Sequence, residues 1–248
     1  MNVAVGHLYP EYLNIYADRG NIAVLSIRAR RRGMKLDVRR ITIGEPTPPE
    51  IDLFYVGGGQ DREQAFIAPD LAARGPALAE AVASDAAVLA VCGGYQLLGH
   101  SYRDRAGAEL PGAGIFPLET VAGERRMIGD ILIECELDAG ERHTVAGFEN
   151  HAGRTILDAG ASPLGRVLYG FGNDGESGFE GCRVGCAVGT YLHGPLLPRN
   201  PWLADWLLAK AAAHRTGEEP TFLPLADELE ADAHAVSAGR ARSRGGRT

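Results

Sequence analysis

The chain has 248 residues, 45% of them hydrophobic, which is enough apolar material for the core of one α/β domain. Acidic residues outnumber basic ones by 32 to 25, and the net charge of −7 argues against nucleic acid or an anionic membrane as the main partner. The first residues lack a signal-peptide pattern, and no apolar stretch approaches the ~20 residues of a membrane span. Four cysteines without regular spacing favour reduced thiols, so we expect a soluble, cytoplasmic protein.

Short apolar runs alternate with helical patterns in the first part of the chain. The alternation predicts strands at residues 3–8, 36–43, 51–56 and 86–91, and helices at residues 21–32 and 76–83. Such a rhythm is typical of a parallel sheet covered by helices on both faces. The predicted fold class is therefore α/β, with a largely parallel central sheet.

The pattern changes in the rest of the chain. Residues 115–148 favour strands, which predicts an antiparallel hairpin extension of the parallel sheet. Further strands are predicted at residues 166–170 and 187–192, then a helix from Pro201 to about His214 and an acidic helix over residues 224–236. We assign residues 1–236 to one domain and expect the arginine-rich residues 237–248 to form a disordered tail.

The segment AAVLAVCGGYQLLG contains the most informative residue of the sequence. An apolar strand runs directly into Cys92, the glycines Gly93 and Gly94 follow, and a helical pattern begins at Tyr95. A nucleophile between a strand and a helix sits on a sharp turn that needs small neighbours. Backbone N–H groups and the helix dipole at such a turn favour the thiolate. The pattern indicates a cysteine nucleophile; the alternative is a buried structural cysteine before an ordinary glycine turn.

A thiol nucleophile needs a base within hydrogen-bond reach. His193 follows the apolar run AVGTYL and thus stands at the C-terminal end of a predicted strand, as Cys92 does. Because parallel strands end at one shared edge, the two side chains are expected to meet in the crevice there. His151, in GFENHAGRT, is the rival base.

An acyl-enzyme mechanism also needs N–H donors for the oxyanion. The amide of Gly93 follows the nucleophile, and the triplet at residues 57–59 ends a neighbouring predicted strand. A glycine triplet after a strand is on its own more typical of a plain turn. Its pairing with the turn at Cys92 favours the functional interpretation.

Several common sites are missing from the sequence. A P-loop needs a Gly-Lys pair, and glycine precedes neither Lys35 nor Lys210. No G-x-G-x-x-G motif stands at a strand-to-helix junction. Cys182 and Cys186 resemble a metal pair, but no second ligand pair has zinc spacing, so we expect no metal site. The chain thus has no evident means of activating an acid with ATP.

Six sequence blocks together resemble one family. They are YADRGNIAVL, GGGQDREQ, VCGGYQLLG, GDI, GFENHAGRT and GTYLHGPLLPRN. Over about residues 3–225 the chain resembles the class I glutamine amidotransferases of the cobyric-acid-synthase-like branch. Within that branch it resembles the GatD family, the glutaminase subunits of lipid II isoglutaminyl synthases. The resemblance implies the class I amidotransferase-like α/β fold.

The same resemblance implies roles for individual residues. Cys92 would attack the side-chain amide of L-glutamine, and His193 would transfer protons while ammonia leaves and water hydrolyses the glutamyl thioester. The oxyanion region and the glutamine pocket would include Gly58, Gly59, Gly93 and Gln96.

The family also has a substrate-binding arginine shortly before a Gly-Asp pair. Arg125 and Arg126 both precede Gly129, and a spacing of three residues selects Arg126. A guanidinium fork suits an α-carboxylate, whereas the alternative is a solvated surface arginine. The sequence departs from the broader class at Pro195, where a glutamate would orient the histidine. The branch shares this departure, and we expect a carboxylate from elsewhere, such as the partner subunit, to replace it.

The resemblance finally implies a two-subunit enzyme. This chain would pass ammonia to a MurT-type subunit of the Mur ligase family, which would hold ATP and Mg²⁺ and amidate the D-glutamate of lipid II to D-isoglutamine. No cofactor is expected in this chain. The alternatives are a glutaminase for a different, cobyrinate-like acceptor, a non-catalytic subunit that stabilises a partner, and a cysteine hydrolase or peptidase of related fold.

Overall fold

The structure is a computed structural model that describes residues 1–15 and 19–244. Residues 16–18, which belong to the YADRGNIAVL block, and residues 245–248 of the predicted tail lie outside the described residues. The strands are β1 (Asn2–Leu8), β2 (Lys35–Ile41), β3 (Leu53–Val56), β4 (Ala87–Val91), β5 (Ser101–Arg103), β6 (Glu109–Pro111), β7 (Leu118–Glu136), β8 (Arg142–Leu157), β9 (Gly165–Tyr169), β10 (Phe179–Glu180), β11 (Cys182–Val184) and β12 (Ala187–Thr190). The α-helices are α1 (Arg19–Arg31), α2 (Asp61–Ala73), α3 (Gly75–Ala83), α4 (Gly93–Leu97), α5 (Pro201–Thr216) and α6 (Glu228–Arg244).

A six-stranded sheet forms the centre of the fold, in the order β11-β12-β4-β3-β1-β2. All neighbours pair in parallel except β11, which runs antiparallel to β12 at one edge. Every residue of β3, β4 and β12 is buried, as expected of strands covered on both faces. The predicted α/β class with a largely parallel sheet is confirmed.

A second sheet of mostly antiparallel strands lies beside the first, in the order β10-β9-β7-β5-β6, and β8 pairs with β7. The long hairpin of β7 and β8 is its main element, with a register shift between Ala122 and Met127. The predicted antiparallel extension is thus present, but it is a full sheet, and the strand expected near residues 166–170 belongs to it. One backbone bridge, Phe148 to His193, joins β8 to the segment after β12.

Helix α2 has no counterpart among the predicted elements. Pro69 stands inside it, and a proline in a helix interior normally removes a hydrogen bond and ends the helix. Tertiary contacts override that local signal, since Gln64, Ile67, Ala68 and Leu71 form a buried face. Its first residue, Asp61, stands two positions after Gly59, so the helix begins close to the glycine triplet.

The C-terminal region differs from the expected disordered tail. Helix α6 continues to Arg244, and its residues Ala238 and Ala241 are buried against Leu132 and Ala146. The Nε2 atom of His234 lies 2.9 Å from the Thr144 hydroxyl oxygen, and this contact also holds α6 against β8. Composition suggested disorder, but two small residues three apart let the helix approach the sheet closely. Within the described residues, no helix combines the length and the apolar character that crossing a bilayer would require.

Candidate active site

The turn between β4 and α4 presents Cys92 in a strained conformation. Its φ of 50° and ψ of −105° lie in a region that residues with a side chain rarely adopt, at a cost of about 1–3 kcal/mol. The Cys92 N–H donates to the Thr190 carbonyl at 2.8 Å, and only 5% of the residue is exposed. The fold therefore holds the thiol rigidly at the carboxyl end of the central sheet, where the sequence predicted a nucleophile.

The glycines after Cys92 allow two backbone segments to approach each other. A Cβ on Gly94 would lie 2.6 Å from the Val56 carbonyl oxygen, and one on Gly93 would lie 2.9 Å from the Gly59 nitrogen. Gly93 begins α4, so its N–H has no acceptor within the helix. The structure thus brings together the two segments that were predicted to hold the oxyanion.

His193 follows β12 at the same end of the sheet as Cys92. In the parallel pairing of β12 with β4, Thr190 stands opposite Val91, so both strands end level with each other. The His193 N–H donates to the Phe148 carbonyl at 2.8 Å, and its side chain is completely buried. Burial, followed by electrostatic interactions with His151 and Arg126, lowers the pKa of His193 to about 3. The imidazole is thus neutral near pH 7, and its protonated form is disfavoured in this chain.

The rival base His151 lies on β8 at the same end of the molecule. Its ring stacks on Tyr191 with the centroids 3.5 Å apart, and its Nδ1 lies 2.9 Å from the Gly153 carbonyl oxygen. Its Nε2 lies 3.7 Å from a carboxylate oxygen of the fully buried Glu149. The structure therefore brings both candidate bases to the end of the sheet at which Cys92 lies.

A pocket of about 620 Å³ opens at this end. Four predicted site residues contribute to its lining, together with the rival base: Gly59, Cys92, Gln96, Arg126 and His151. Gly58, Gly93 and His193, the other predicted residues, are not among the described residues that line it. Both sheets contribute to the pocket, because Arg126 and His151 come from the β7–β8 hairpin.

Arg126 is held in place by a residue that sequence reasoning missed. Its Nε donates to the Asn150 side-chain oxygen and its Nη2 to the Asn150 carbonyl, both at 2.8 Å. Arg126 lies at the register shift of β7. Such an irregularity changes the direction of a side chain, and here Arg126 contacts the neighbouring strand β8. Arg125 does not line the pocket. The geometry therefore favours Arg126 over Arg125, as the spacing argument did.

Gln96 ends a buried chain of polar side chains. Its amide donates to the Tyr191 hydroxyl at 3.1 Å, which lies 2.6 Å from the Thr155 hydroxyl, and Thr155 in turn lies 2.8 Å from Thr120. The chain crosses from α4 to the second sheet. It fixes the Gln96 side chain at the pocket wall. Tyr191 and Thr155 belong to two of the blocks that carry the resemblance, but the sequence analysis had assigned no role to them or to Thr120.

Glu180 is a second residue that the sequence analysis missed. Its fully buried carboxylate accepts the Tyr191 N–H at 2.6 Å and the Thr190 hydroxyl at 3.0 Å. Burial raises the pKa of Glu180 to about 8. The Glu180 side chain thus fixes the end of β12 at Thr190 and the next residue, Tyr191, which stands two residues before His193.

Cys182 and Cys186 are the two cysteines at which the sequence predicted no metal site. Cys182 lies in β11, and burial raises the pKa of its thiol to about 12. In the described part of the chain, no group of three or more histidine, cysteine or acidic side chains could hold a metal ion.

Comparisons with known proteins identify relatives of the chain. The chain is 42% identical over 214 residues to the lipid II isoglutaminyl synthase (glutamine-hydrolyzing) subunit GatD of Staphylococcus aureus, a match covering 86% of each chain. It is 39% identical to the subunit of the same name from Streptococcus pneumoniae, over 87% of this chain and 82% of that one. A solved chain of PurLQS from Thermotoga maritima has a TM-score of 0.58 at 12% identity, covers 88% of this chain and 99% of its own, and shows the fold alone.

A match to a protein-family model shows the family to which the chain belongs. The model for the CobB/CobQ-like glutamine amidotransferase domain matches residues 4–201, which include the strained turn, the glycine triplet and the segment after β12. The chain belongs to the CobB/CobQ-like glutamine amidotransferase family.

Proposed function

We propose that this chain is the glutaminase subunit of a lipid II isoglutaminyl synthase. It would hydrolyse L-glutamine and deliver ammonia to a MurT-type ligase that amidates the D-glutamate of lipid II. The observation that supports the proposal most strongly is the strained backbone of Cys92, which lines the same pocket as Arg126. The similarity to two GatD subunits over more than four fifths of the chain supports the acceptor and the partner.

The proposed chemistry begins at the thiol of Cys92. Its sulfur attacks the side-chain amide carbon of glutamine, and the proton passes by way of His193 to the departing nitrogen, which leaves as ammonia. The N–H groups of Gly93 and the Gly58–Gly59 segment would stabilise the oxyanion. Water, deprotonated by His193, then cleaves the thioester and releases glutamate. Arg126 would bind the α-carboxylate and Gln96 would border the pocket.

The partner has two proposed contributions. It would hold ATP and Mg²⁺, since the sequence of this chain has no P-loop, and it would supply the carboxylate that Pro195 replaces in this family branch. Burial lowers the pKa of His193 to about 3, so the imidazolium is costly in this chain by itself. A partner carboxylate near the ring would raise that pKa and assist proton transfer. Glutaminase activity that does not increase when the partner is added would contradict this contribution.

The state of the cysteines supports a cytoplasmic location for the reaction. No disulfide joins the four cysteines, all of which lie within the described residues, and burial raises the pKa of three of them, Cys135, Cys182 and Cys186. Such thiols persist in a reducing compartment. The precursor lipid would then be reached from the inner face of the membrane through the ligase.

The test is transfer of labelled nitrogen in the two-subunit complex. The full chain, its ligase partner, MgATP and lipid II are incubated with glutamine carrying ¹⁵N in the side-chain amide, and the product is analysed by mass spectrometry. The proposal predicts ¹⁵N in the new amide of D-isoglutamine. A Cys92→Ala chain should support amidation from ammonium chloride but not from glutamine.

The alternatives correspond to other outcomes of this experiment. Glutamine-dependent amidation by the Cys92→Ala complex would favour a non-catalytic, partner-stabilising subunit. Glutamine hydrolysis without lipid II amidation would favour a different, cobyrinate-like acceptor. Cleavage of peptides in place of glutamine would favour a cysteine hydrolase or peptidase.

A further inference from the structure

We propose that Asp61 binds the α-ammonium group of the substrate and thereby selects free glutamine over glutamine whose amino group is blocked or absent. This inference rests on the proposed function and assigns a specificity role within the same pocket. Asp61 is the single carboxylate among the described residues that line the pocket with Cys92. The two other charged side chains of the lining, apart from the histidine, are Arg62 and Arg126.

The position of Asp61 follows from the glycine triplet and the helix after it. Asp61 is the first residue of α2, two positions after Gly59, whose backbone lies against the turn of the nucleophile. The Tyr102 hydroxyl donates to one Asp61 carboxylate oxygen at 3.3 Å, and Tyr102 is only 1% exposed and lines the pocket itself. A buried phenol therefore orients the carboxylate at the pocket wall.

The pocket has the charge pattern that a free amino acid needs. Glutamine is a zwitterion at neutral pH, so its α-carbon carries a carboxylate and an ammonium group side by side. Arg126, fixed by Asn150, offers a cation to the carboxylate. Asp61 offers the opposite charge, and a charge-assisted hydrogen bond to the ammonium group is stronger than a neutral one. A glutamine residue within a peptide has no ammonium group and cannot use this contact.

The test compares two substrates on matched variants. L-Glutamine and glutaramate, which is glutamine without the α-amino group, are hydrolysed by the full chain in complex with its ligase. Asp61→Asn removes the charge, and Glu63→Gln removes a carboxylate from the same first turn of α2 that does not line the pocket. We expect the wild type to prefer glutamine roughly 10- to 100-fold in kcat/KM, which is typical of one hydrogen bond to a charged group.

The variants should separate binding from chemistry. Asp61→Asn should lose most of that preference through a higher KM for glutamine at nearly constant kcat, because the contact forms in both ground and transition state. Its kcat/KM for glutaramate should stay within about twofold of the wild type, and Glu63→Gln should behave as the wild type with both substrates. Tyr102→Phe, which keeps Asp61 but frees its orientation, should lose part of the preference.

Two results would overturn the inference. One is a wild type that hydrolyses both substrates equally well; the other is an Asp61→Asn variant that keeps the full preference for glutamine. If Asp61→Asn does not fold, the wild-type comparison and Tyr102→Phe still decide. Failure of the proposed glutaminase activity has a different signature, since the wild type would then hydrolyse neither substrate, and failure of the proposed acceptor would leave the glutamine preference unchanged.

Discussion

The two sides of the pocket are built in different ways. The nucleophile's side consists of consecutive residues at the end of β4, where an apolar strand, Cys92 and two glycines define the geometry almost locally. The opposite side comes from the β7–β8 hairpin, where Arg126 and Asn150 meet only through a particular strand register. Under the proposed function, the parallel sheet supplies the nucleophile, whereas the antiparallel sheet supplies the cation for the α-carboxylate of the substrate.

The largest predicted effect concerns His193, which lies where the two sides meet. His193→Gln should reduce kcat for glutamine hydrolysis about 10³-fold, because general acid–base groups typically contribute 10²- to 10⁴-fold. His151→Gln should cost only about 10-fold, since the Nδ1 of His151 already bonds the Gly153 carbonyl and its ring packs on Tyr191.

The control for this pair is His100→Gln, at an exposed histidine paired with Asp158, which should leave kcat unchanged. Steady-state kinetics with each complex provide the measurement. A greater loss at His151 than at His193 would reverse the assignment of the base and move the chemistry to the antiparallel sheet.

The second effect tests the packing on the nucleophile's side. The methyl group of Gly93→Ala would lie 2.9 Å from the Gly59 nitrogen and would push apart the two segments that are proposed to hold the oxyanion. We expect kcat to fall about 100-fold with little change in KM, as after the loss of one oxyanion donor.

The matched control is Gly239→Ala on α6, where a Cβ would meet nothing within 4 Å. Alanine in that helix should raise stability by up to about 1 kcal/mol and leave kinetics unchanged. A Gly93→Ala enzyme with normal kcat would show that glycine is needed at this position only for the turn and not for catalysis.

The smallest effect concerns stability rather than rate. Burial raises the pKa of Glu180 from 4.5 to about 8, so the folded chain retains a proton there that the unfolded chain has lost. The stability contribution of this group therefore falls as the pH rises from about 4.5 to 8. Glu180→Gln mimics the protonated form, and its free energy of unfolding should exceed that of the wild type by a margin that grows to roughly 1–3 kcal/mol at pH 8.

Denaturant unfolding of the wild type and Glu180→Gln at pH 5 and pH 8 measures this difference in the free energy of unfolding. Glu136→Gln is the control, because the Gly140 N–H and Arg142 lower the pKa of that surface carboxylate. For this variant, the free energy of unfolding should not increase relative to that of the wild type as the pH rises. A margin for Glu180→Gln that shrinks with pH would mean that the Thr190 and Tyr191 donors stabilise the charged form after all.

The same contrast between local and long-range construction explains what the sequence could predict. The parallel sheet and the strained turn follow from short apolar runs and adjacent glycines, which are local signals. Nothing in the sequence indicated the roles of Asn150 and Glu180, because their contacts depend on strand pairing and on burial far along the chain. Helix α2 and the end of α6 were missed for the same reason, since tertiary packing overrode Pro69 and the arginine-rich composition.

The most direct test of the central claim is covalent trapping of the nucleophile. The complex of the full chain with its ligase is exposed to the reactive glutamine analogue diazo-oxo-norleucine and then analysed by intact mass and peptide mapping. We expect one adduct, located on Cys92, blocked by excess glutamine and absent from Cys92→Ala. Adducts on another cysteine, or a complex that remains unmodified at Cys92, would contradict the assignment of this turn as the glutaminase nucleophile.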